Sequence, residues 1–467
     1  MENVNKIDVF YTILILSLIA RLFLAPIYID PPGIPHDFGH YIDYANTKVD
    51  GKLFEVDYMS ESGPSPYGPL FAIILGTWTE VIGFDYIFLK IPFILVDSFS
   101  IILLYYIVKN IYTPDAAKYS CMLYAFSYVS IASSAVSGND DHLFLFFSLL
   151  SILYLIKPEP KFNISAIFLG MAMSIKLLPF VFFFLPIMYY LHQTKNLKSA
   201  TKYAVISIIT MAIVYIPFFK RAGVDVFHTF TSAQTFPSFG QSFLAGVNML
   251  LNYLTLDDWT QTLSVEHPIV TKLSLPFVVL GFIIAVTYIL KYKLENKKIE
   301  LFRNSFIIIS VFFIFSKYMA ETLFIGIVPI VAVLFAEKYT FKFNVSKTEA
   351  SGMLLIFISL LIYAYIYRWR IDYSSLDRYL LTASLFLSFF GTYLTMIKNN
   401  FKFSWSFAVL SFAAFRTMHA DLLLLLGNII PIFDDYRIAW GAYAFGMPIL
   451  FILGMLLLVK KMHEEYS

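Results

Sequence analysis

The sequence predicts an all-α polytopic membrane protein with about 14 transmembrane helices, between about 12 and 15 given the spread of span boundaries. Three observations carry that prediction. The 467 residues are 59% hydrophobic and only 14% charged, where a soluble domain carries about 25% charged residues. Long apolar runs recur from end to end, and they are continuous rather than alternating, which excludes a porin-type barrel. Cationic residues fall on every second connection between those runs, as the positive-inside rule requires. The composition also excludes a water-soluble enzyme, a disordered chain and a coiled coil. A single cysteine, Cys121, excludes an intramolecular disulfide framework and a Cys-rich metal site.

A spanning helix needs roughly 20 mostly apolar residues. The first runs from about 7 to 28; it has no small-residue cleavage site and holds Arg21 late in its length, so it reads as a retained span. Further spans are predicted near 84–108, 116–135, 141–156, 163–178, 180–192, 202–219, 271–290, 304–316, 321–336, 350–367, 378–397, 403–426 and 439–459. The segments 180–192 and 304–316 are short, as spans that line a cavity tend to be. With both termini in the cytoplasm, Lys109, Lys118, Lys195, Lys198, Lys202, Lys291, Lys293, Lys297, Lys298, Arg303, Lys338, Lys342, Lys347, Lys398, Lys402, Lys460 and Lys461 all fall on the inner side. The sequons at Asn163 and Asn344 fall there too and are discounted. The chain reads as one membrane unit, 1–336 with outer loops 30–83 and 220–270, and 337–467 as C-terminal helices of the same unit. The first outer loop is acidic, and its stretches 37–50 and 69–80 read as helices lying along the interface.

Ionisable groups at membrane depth are costly and tend to be functional. Asp37, with His36, His40 and Asp43 around it, follows the first span. A carboxylate held near histidines suits a general base or a divalent cation; the alternative is a solvated acidic loop. Asn139, Asp140, Asp141 and His142 open the 141–156 helix and read either as its cap or as hydroxyl-binding groups for a sugar. Lys176, before Pro179, suggests a broken helix offering a cation to phosphate; the alternative is snorkelling to the interface. Lys317 and Glu321 have ion-pair spacing. Arg368 and Arg370, with Asp372 and Arg378, form an outer cluster suited to a phosphate or to an ion-pair network. Lys90 and Asp97 share one helix face and read as pairing with each other. Arg416, His419 and Asp421 carry no assigned role. Phosphate-loop, dinucleotide, nucleophile-elbow and zinc-protease motifs are absent, as is a basic nucleic-acid-binding surface.

In order along the first 330 residues, these segments resemble the membrane-embedded C-type (GT-C) glycosyltransferases. His36-Asp37-Phe38-Gly39-His40-Tyr41 followed by Tyr67-Gly68-Pro69-Leu70 resembles their first outer loop, in which an Asp precedes a Tyr-Pro-Pro-Leu-type motif. Gly68 replaces the first of those prolines. Lys90-Ile91-Pro92 is similar to the pattern of their second span. Ser137-Gly138-Asn139 resembles the start of a helix in the catalytic subunit of GPI mannosyltransferase I, although Asp140 and Asp141 follow it here. The stretch from Gly170 to Pro179 is similar to its Lys-x-x-Pro segment, and Phe315 to Pro329 to a later outer turn.

The resemblance implies an inverting hexosyltransferase, mannose first, that draws on a dolichyl- or polyprenyl-phosphate sugar and serves a lipid-linked or other glycan acceptor. It implies Asp37 as catalytic base. The donor phosphate would meet Lys176, then Lys317, Arg368 and Arg370. Sugar or acceptor would meet His36, His40, Asp43, Tyr67, Asn139, Asp140, Asp141, His142 and Glu321. No cofactor is assigned, and a divalent cation near Asp37 stays open. Membrane lipids are the remaining partners. A prokaryotic plasma membrane, archaeal first, or the endoplasmic reticulum would house it. A flippase or transporter of lipid-linked sugars, or a glycan polymerase or ligase, are the competing readings. A transporter would show the inverted repeats that this sequence lacks.

Overall fold

The computed structural model describes residues 9–27, 41, 67–83, 85–227, 239–240, 243–255, 267–316, 318–319, 325–336, 347–368 and 375–396, with single positions between 452 and 464. The chain divides into two compact units. One comprises Met1–Thr235, Glu295–Ser305 and Ile325–Phe343; the other comprises Phe236–Leu294, Phe306–Phe324 and Asn344–Ser467.

In the first unit the helices run α1 (Val9–Leu24), α2 (Pro69–Ile82), α3 (Tyr86–Lys109), α4 (Pro114–Ala125) and α5 (Tyr128–Ile131), which passes into a π turn at Ala132–Ser137. They continue as α6 (Asp141–Ile156), α7 (Phe162–Ile175), a second π turn at Phe180–Phe184, α8 (Leu185–Thr194) and α9 (Leu197–Ala222). Starts are set by local chemistry. Asp85 accepts the Ile87 N–H at 2.8 Å, and Asn196 accepts the Ser199 N–H at 2.8 Å. Thr113 caps α4, whose first residue is Pro114.

The second unit holds α10 (Phe243–Thr255), α11 (Pro268–Lys291), the later turns of α12 (Lys297–Phe315), α14 (Lys347–Arg368) and α15 (Ser375–Met396); α13 (Ile327–Leu334) belongs to the first. Phe239–Gly240 and Tyr318–Met319 form a two-residue parallel bridge in the second unit.

Burial is inverted relative to a water-soluble protein. On α1 the apolar Ile15, Ile19 and Phe23 are exposed, while Ser17 and Arg21 are fully buried. On α9 Ile209, Ile213 and Ile216 face outward and Ser207 inward; on α11 Leu275 and Ile283 are exposed. Apolar side chains outside and polar ones inside fit helices bathed in hydrocarbon, so this is an integral membrane protein.

Helix packing follows the same rule: small residues let backbones approach, and hydroxyls join helices. A Cβ on Gly170 of α7 would lie 2.5 Å from the Ser207 carbonyl of α9. Ser151, Ser165 and Tyr203 join α6, α7 and α9 through hydroxyl contacts of 2.8–3.2 Å. In the second unit Ser359 and Ser384 join α14 to α15 at 2.6–3.0 Å.

Among the described residues, the apolar segments predicted up to residue 397 fall on helices, with 116–135 divided between α4 and α5. By length and composition alone, three described helices can cross a membrane: Ile87–Lys109, Leu197–Phe227 and Pro268–Lys291. A fourth follows if Pro114–Ala125 and Tyr128–Ser137, bent by 53°, count together. Helices such as Asp141–Ile156 and Phe162–Ile175 are shorter than a full crossing, because Gly138, Lys176 and the π turns interrupt the apolar runs. The predicted span 403–426 and most of 439–459 lie outside the described residues.

Of the two interfacial helices predicted in the first outer loop, 69–80 forms as α2, while 37–50 falls outside the described residues apart from Tyr41. Ala72, Leu75, Gly76 and Thr79 make a buried i, i+3, i+4, i+7 stripe on α2. The helix packs on α3, α7 and α9, and Trp78 Nε1 donates to the Phe88 carbonyl at 2.7 Å.

The Gly68 N–H bonds the Ile175 carbonyl at 2.7 Å, and a Cβ at Gly68 would lie 2.2 Å from the Ser174 carbonyl oxygen. This explains the departure from Tyr-Pro-Pro-Leu. A proline there would lose the bond and strike the end of α7. Gly68→Ala is expected to destabilise the protein by about 1–3 kcal/mol through overpacking. A lower detergent melting temperature than wild type checks it, and an unchanged value contradicts it.

Candidate active site

Breaks in three helices bring the polar residues together. Gly138 adopts a left-handed conformation (φ 63°, ψ 46°) that frees the chain to turn into α6. The Asn139 N–H bonds the Ser133 carbonyl at 2.8 Å, and its Oδ1 accepts the Asp141 N–H at 2.9 Å. Asn139 therefore does the capping. The Asp140 side chain makes no cap bond, although it stands at the cap position.

Both carboxylates, Asp140 and Asp141, are fully buried and face Lys176. Its Nζ lies 2.6 Å from Asp141 Oδ1 and 3.6 Å from Asp140 Oδ1. Lys176 reaches them because α7 stops at Ile175 and Lys176 itself is extended (φ −154°, ψ 147°). The broken helix before Pro179 thus lies where the sequence places it. The same ammonium stands over the Tyr67 ring, 5.5 Å from its centroid. Tyr67 is held there by the Gly68–Ile175 bond. Tyr41 and Phe71 pack against it, and Phe93 packs against those two, with ring centroids 4.8–6.3 Å apart.

Beneath this layer lies a second one centred on Asp97 of α3. Arg21 Nε donates to Asp97 Oδ2 at 2.6 Å; Tyr124 and Ser130 donate to the same carboxylate at 2.6 and 3.0 Å. The rest of the Arg21 fork is also used. Nη2 donates to Ser130 Oγ at 2.6 Å, and Nη1 to the Ala125 carbonyl at 2.9 Å and to the Ser17 hydroxyl. His142 Nδ1 lies 3.1 Å from Asp97 Oδ1, off the line of a hydrogen bond. Lys90 Nζ donates to the Ala25 and Val136 carbonyls at 3.2 and 2.8 Å.

The expected pairing of Lys90 with Asp97 is therefore corrected. Seven residues separate them by about 10.5 Å along the helix, and Asp97 takes Arg21 from the facing α1 instead. Arg21, Tyr124 and Ser130 are the residues that sequence reasoning missed. An arginine inside the first apolar run was the available signal, because such a charge needs a buried partner.

Tyr67, Asn139, Asp140, Asp141, His142 and Lys176 come together as one group in the first unit. His36, Asp37, His40, Asp43, Lys317, Glu321 and Arg370 lie outside the described residues, as does the side chain of Arg368, which ends α14. Among the described residues, no group of three or more His, Cys, Asp or Glu could hold a metal ion.

Residues 64–219, which contain the whole described cluster except Arg21 and Tyr41, match a family described as dolichyl-phosphate-mannose-protein mannosyltransferase. In overall fold the chain is similar to apo ArnT from Cupriavidus metallidurans, with a TM-score of 0.50 at 12% identity over 96% of this chain and 76% of that one. It also aligns with ArnT of that organism bound to undecaprenyl phosphate (TM-score 0.49, 11% identity, 97% and 77% covered). A further match is the apo oligosaccharyltransferase of Archaeoglobus fulgidus (TM-score 0.43, 11% identity, 93% and 60% covered). No curated protein matches the chain. The family match and the ArnT-like fold bear out the resemblance to C-type membrane glycosyltransferases.

Removing one partner from the buried Arg21–Asp97 pair should cost about 3–5 kcal/mol, because the other charge is left uncompensated. Asp97→Leu is expected to lower the melting temperature sharply, and Arg21→Met combined with Asp97→Leu to recover part of the loss. Additive losses in the double variant would contradict a direct pair.

Proposed function

We propose that this chain is a polyprenyl-phosphate-dependent glycosyltransferase that moves a hexose, mannose first, from a dolichyl- or polyprenyl-phosphate donor to a lipid-linked or other glycan acceptor on the non-cytoplasmic face, with inversion. One observation carries the reading: the buried Asp140–Asp141 pair bridged by Lys176 beneath Tyr67 lies inside the stretch that matches the dolichyl-phosphate-mannose-dependent family.

The chemistry required is small. An acceptor hydroxyl attacks the anomeric carbon and the bond to the lipid phosphate breaks, so the leaving group is already anionic and needs no proton. One base must take the hydroxyl proton, and cations must hold the phosphate charge. In this reading Asp37 is the base. Lys176 contributes to phosphate binding together with Lys317, Arg368 and Arg370. Because Lys176 already contacts two carboxylates, a phosphate would share it with them rather than meet a bare cation. Those carboxylates, with Asn139, His142, Tyr67, His36, His40, Asp43 and Glu321, are assigned to sugar and acceptor hydroxyls.

The membrane organisation belongs to the same proposal: about 14 crossings with both termini in the cytoplasm, residues 1–336 as the catalytic module and 337–467 as its C-terminal helices. The inverted burial and the cationic connections support it.

Purified protein given a panel of polyprenyl-phosphate sugars, including polyprenyl-phosphate mannose, should form a product heavier than the acceptor by one hexose, read by mass. Asp37→Asn should abolish transfer while folding and donor binding persist. Transfer at the wild-type rate in that variant removes the base assignment, and absence of product with every donor removes the functional reading.

A further inference from the structure

Tyr41 lies in the first outer loop, four residues beyond Asp37, and is fully buried. Its ring is packed by Tyr67, Phe71 and Phe93, with centroids 5.1–5.5 Å away. A phenylalanine would fill that space equally well, so the packing does not account for the hydroxyl. The hydroxyl instead serves Asp140. It accepts the Asp140 backbone N–H at 3.1 Å and stands 3.3 Å from Asp140 Oδ1, to which it donates. Asp140 Oδ1 also faces Lys176 Nζ at 3.6 Å. One carboxylate oxygen therefore meets both the first outer loop and the cation at the end of α7.

We propose that Tyr41 is a positioning residue for glycosyl transfer, its hydroxyl fixing the Asp37-bearing loop to the N-terminus of α6 and so to Lys176. This rests on the reading of Asp37 as the base. Four residues of chain reach at most about 14 Å, so an anchor at Tyr41 limits how far the base can stray from the acidic pair. Two bonds to one residue, from its side chain and its backbone, hold the anchor in direction as well as distance. A base displaced by about 1 Å loses much of the advantage of orientation. Tyr41 itself has no assigned contact with the donor, so donor binding changes little.

Tyr41→Phe keeps the ring packing and removes only the hydroxyl. Measured per folded protein, kcat is expected to fall about tenfold, as the loss of a hydrogen bond to a charged group allows. KM for polyprenyl-phosphate mannose stays within about twofold, the signature of an interaction that acts on the chemical step. The melting temperature falls slightly, because the buried Asp140 N–H loses its acceptor. In an Asp140→Ala background the same change should cost less than it does alone, because only the bond from the Asp140 backbone N–H remains to be lost; independent effects would multiply. Wild-type kcat in Tyr41→Phe, a rise in KM alone, or multiplicative losses in the double variant would each overturn the proposal while the wild-type enzyme still transfers sugar. An inactive wild type with every donor overturns the functional reading first, and this inference with it.

Discussion

Asp97 sits where bulk water does not reach it, and an ionised carboxylate in such a place is tolerated only when cations and donors surround it. Arg21 comes to it from α1, Tyr124 from α4, Ser130 from α5, and His142 approaches from α6. Four helices are thereby fixed in rotation and depth against α3. Dispersion between aliphatic surfaces could not do this alone, because in lipid a leucine face gains little by exchanging one hydrocarbon neighbour for another. The direction of the Asp97 oxygens makes one arrangement of these helices better than its neighbours. The N-terminus of α6, with Asp140 and Asp141, inherits its position from that arrangement.

The upper layer is built from interruptions. An unbroken helix would carry its polar groups past the site on its own surface. Here α6 begins after a left-handed glycine and α7 ends one residue before Lys176, so both helix ends deliver charge to one place. The close approach at Gly68 joins the loop before α2 to the end of α7 and seats Tyr67 against the ammonium. The two layers are linked by adjacent residues: Asp141 faces Lys176 above, and His142 faces Asp97 below. A change in the lower layer is therefore felt in the upper one through a single turn of helix.

At this site two buried carboxylates face one ammonium. Charges in a low-dielectric setting are strongly coupled, so any change at Lys176 is felt by both Asp140 and Asp141. The fold alone does not define a substrate, since one architecture can host many chemistries. The family match over 64–219 covers the residues that form the cluster, apart from Arg21 and Tyr41.

Much of the fold was legible in the sequence because hydrocarbon imposes a simple code. Apolar runs gave the helices. Asn139 to His142 and Lys176 stood out for the same reason, since charged residues rarely interrupt such runs without cause. Helix lengths were less legible, because π turns and breaks cut apolar stretches that hydropathy reads as continuous. Pairing was not legible at all. Lys90 and Asp97 share a helix face, yet Asp97 belongs to Arg21, 76 positions earlier, and Tyr41 meets Asp140 across 99. The sequence by itself determined that this protein lives in a membrane and which residues are too costly to be idle there. Only the tertiary structure decided which of them meet, because an ion pair or hydrogen bond forms across a few ångströms of space that separation along the chain does not measure.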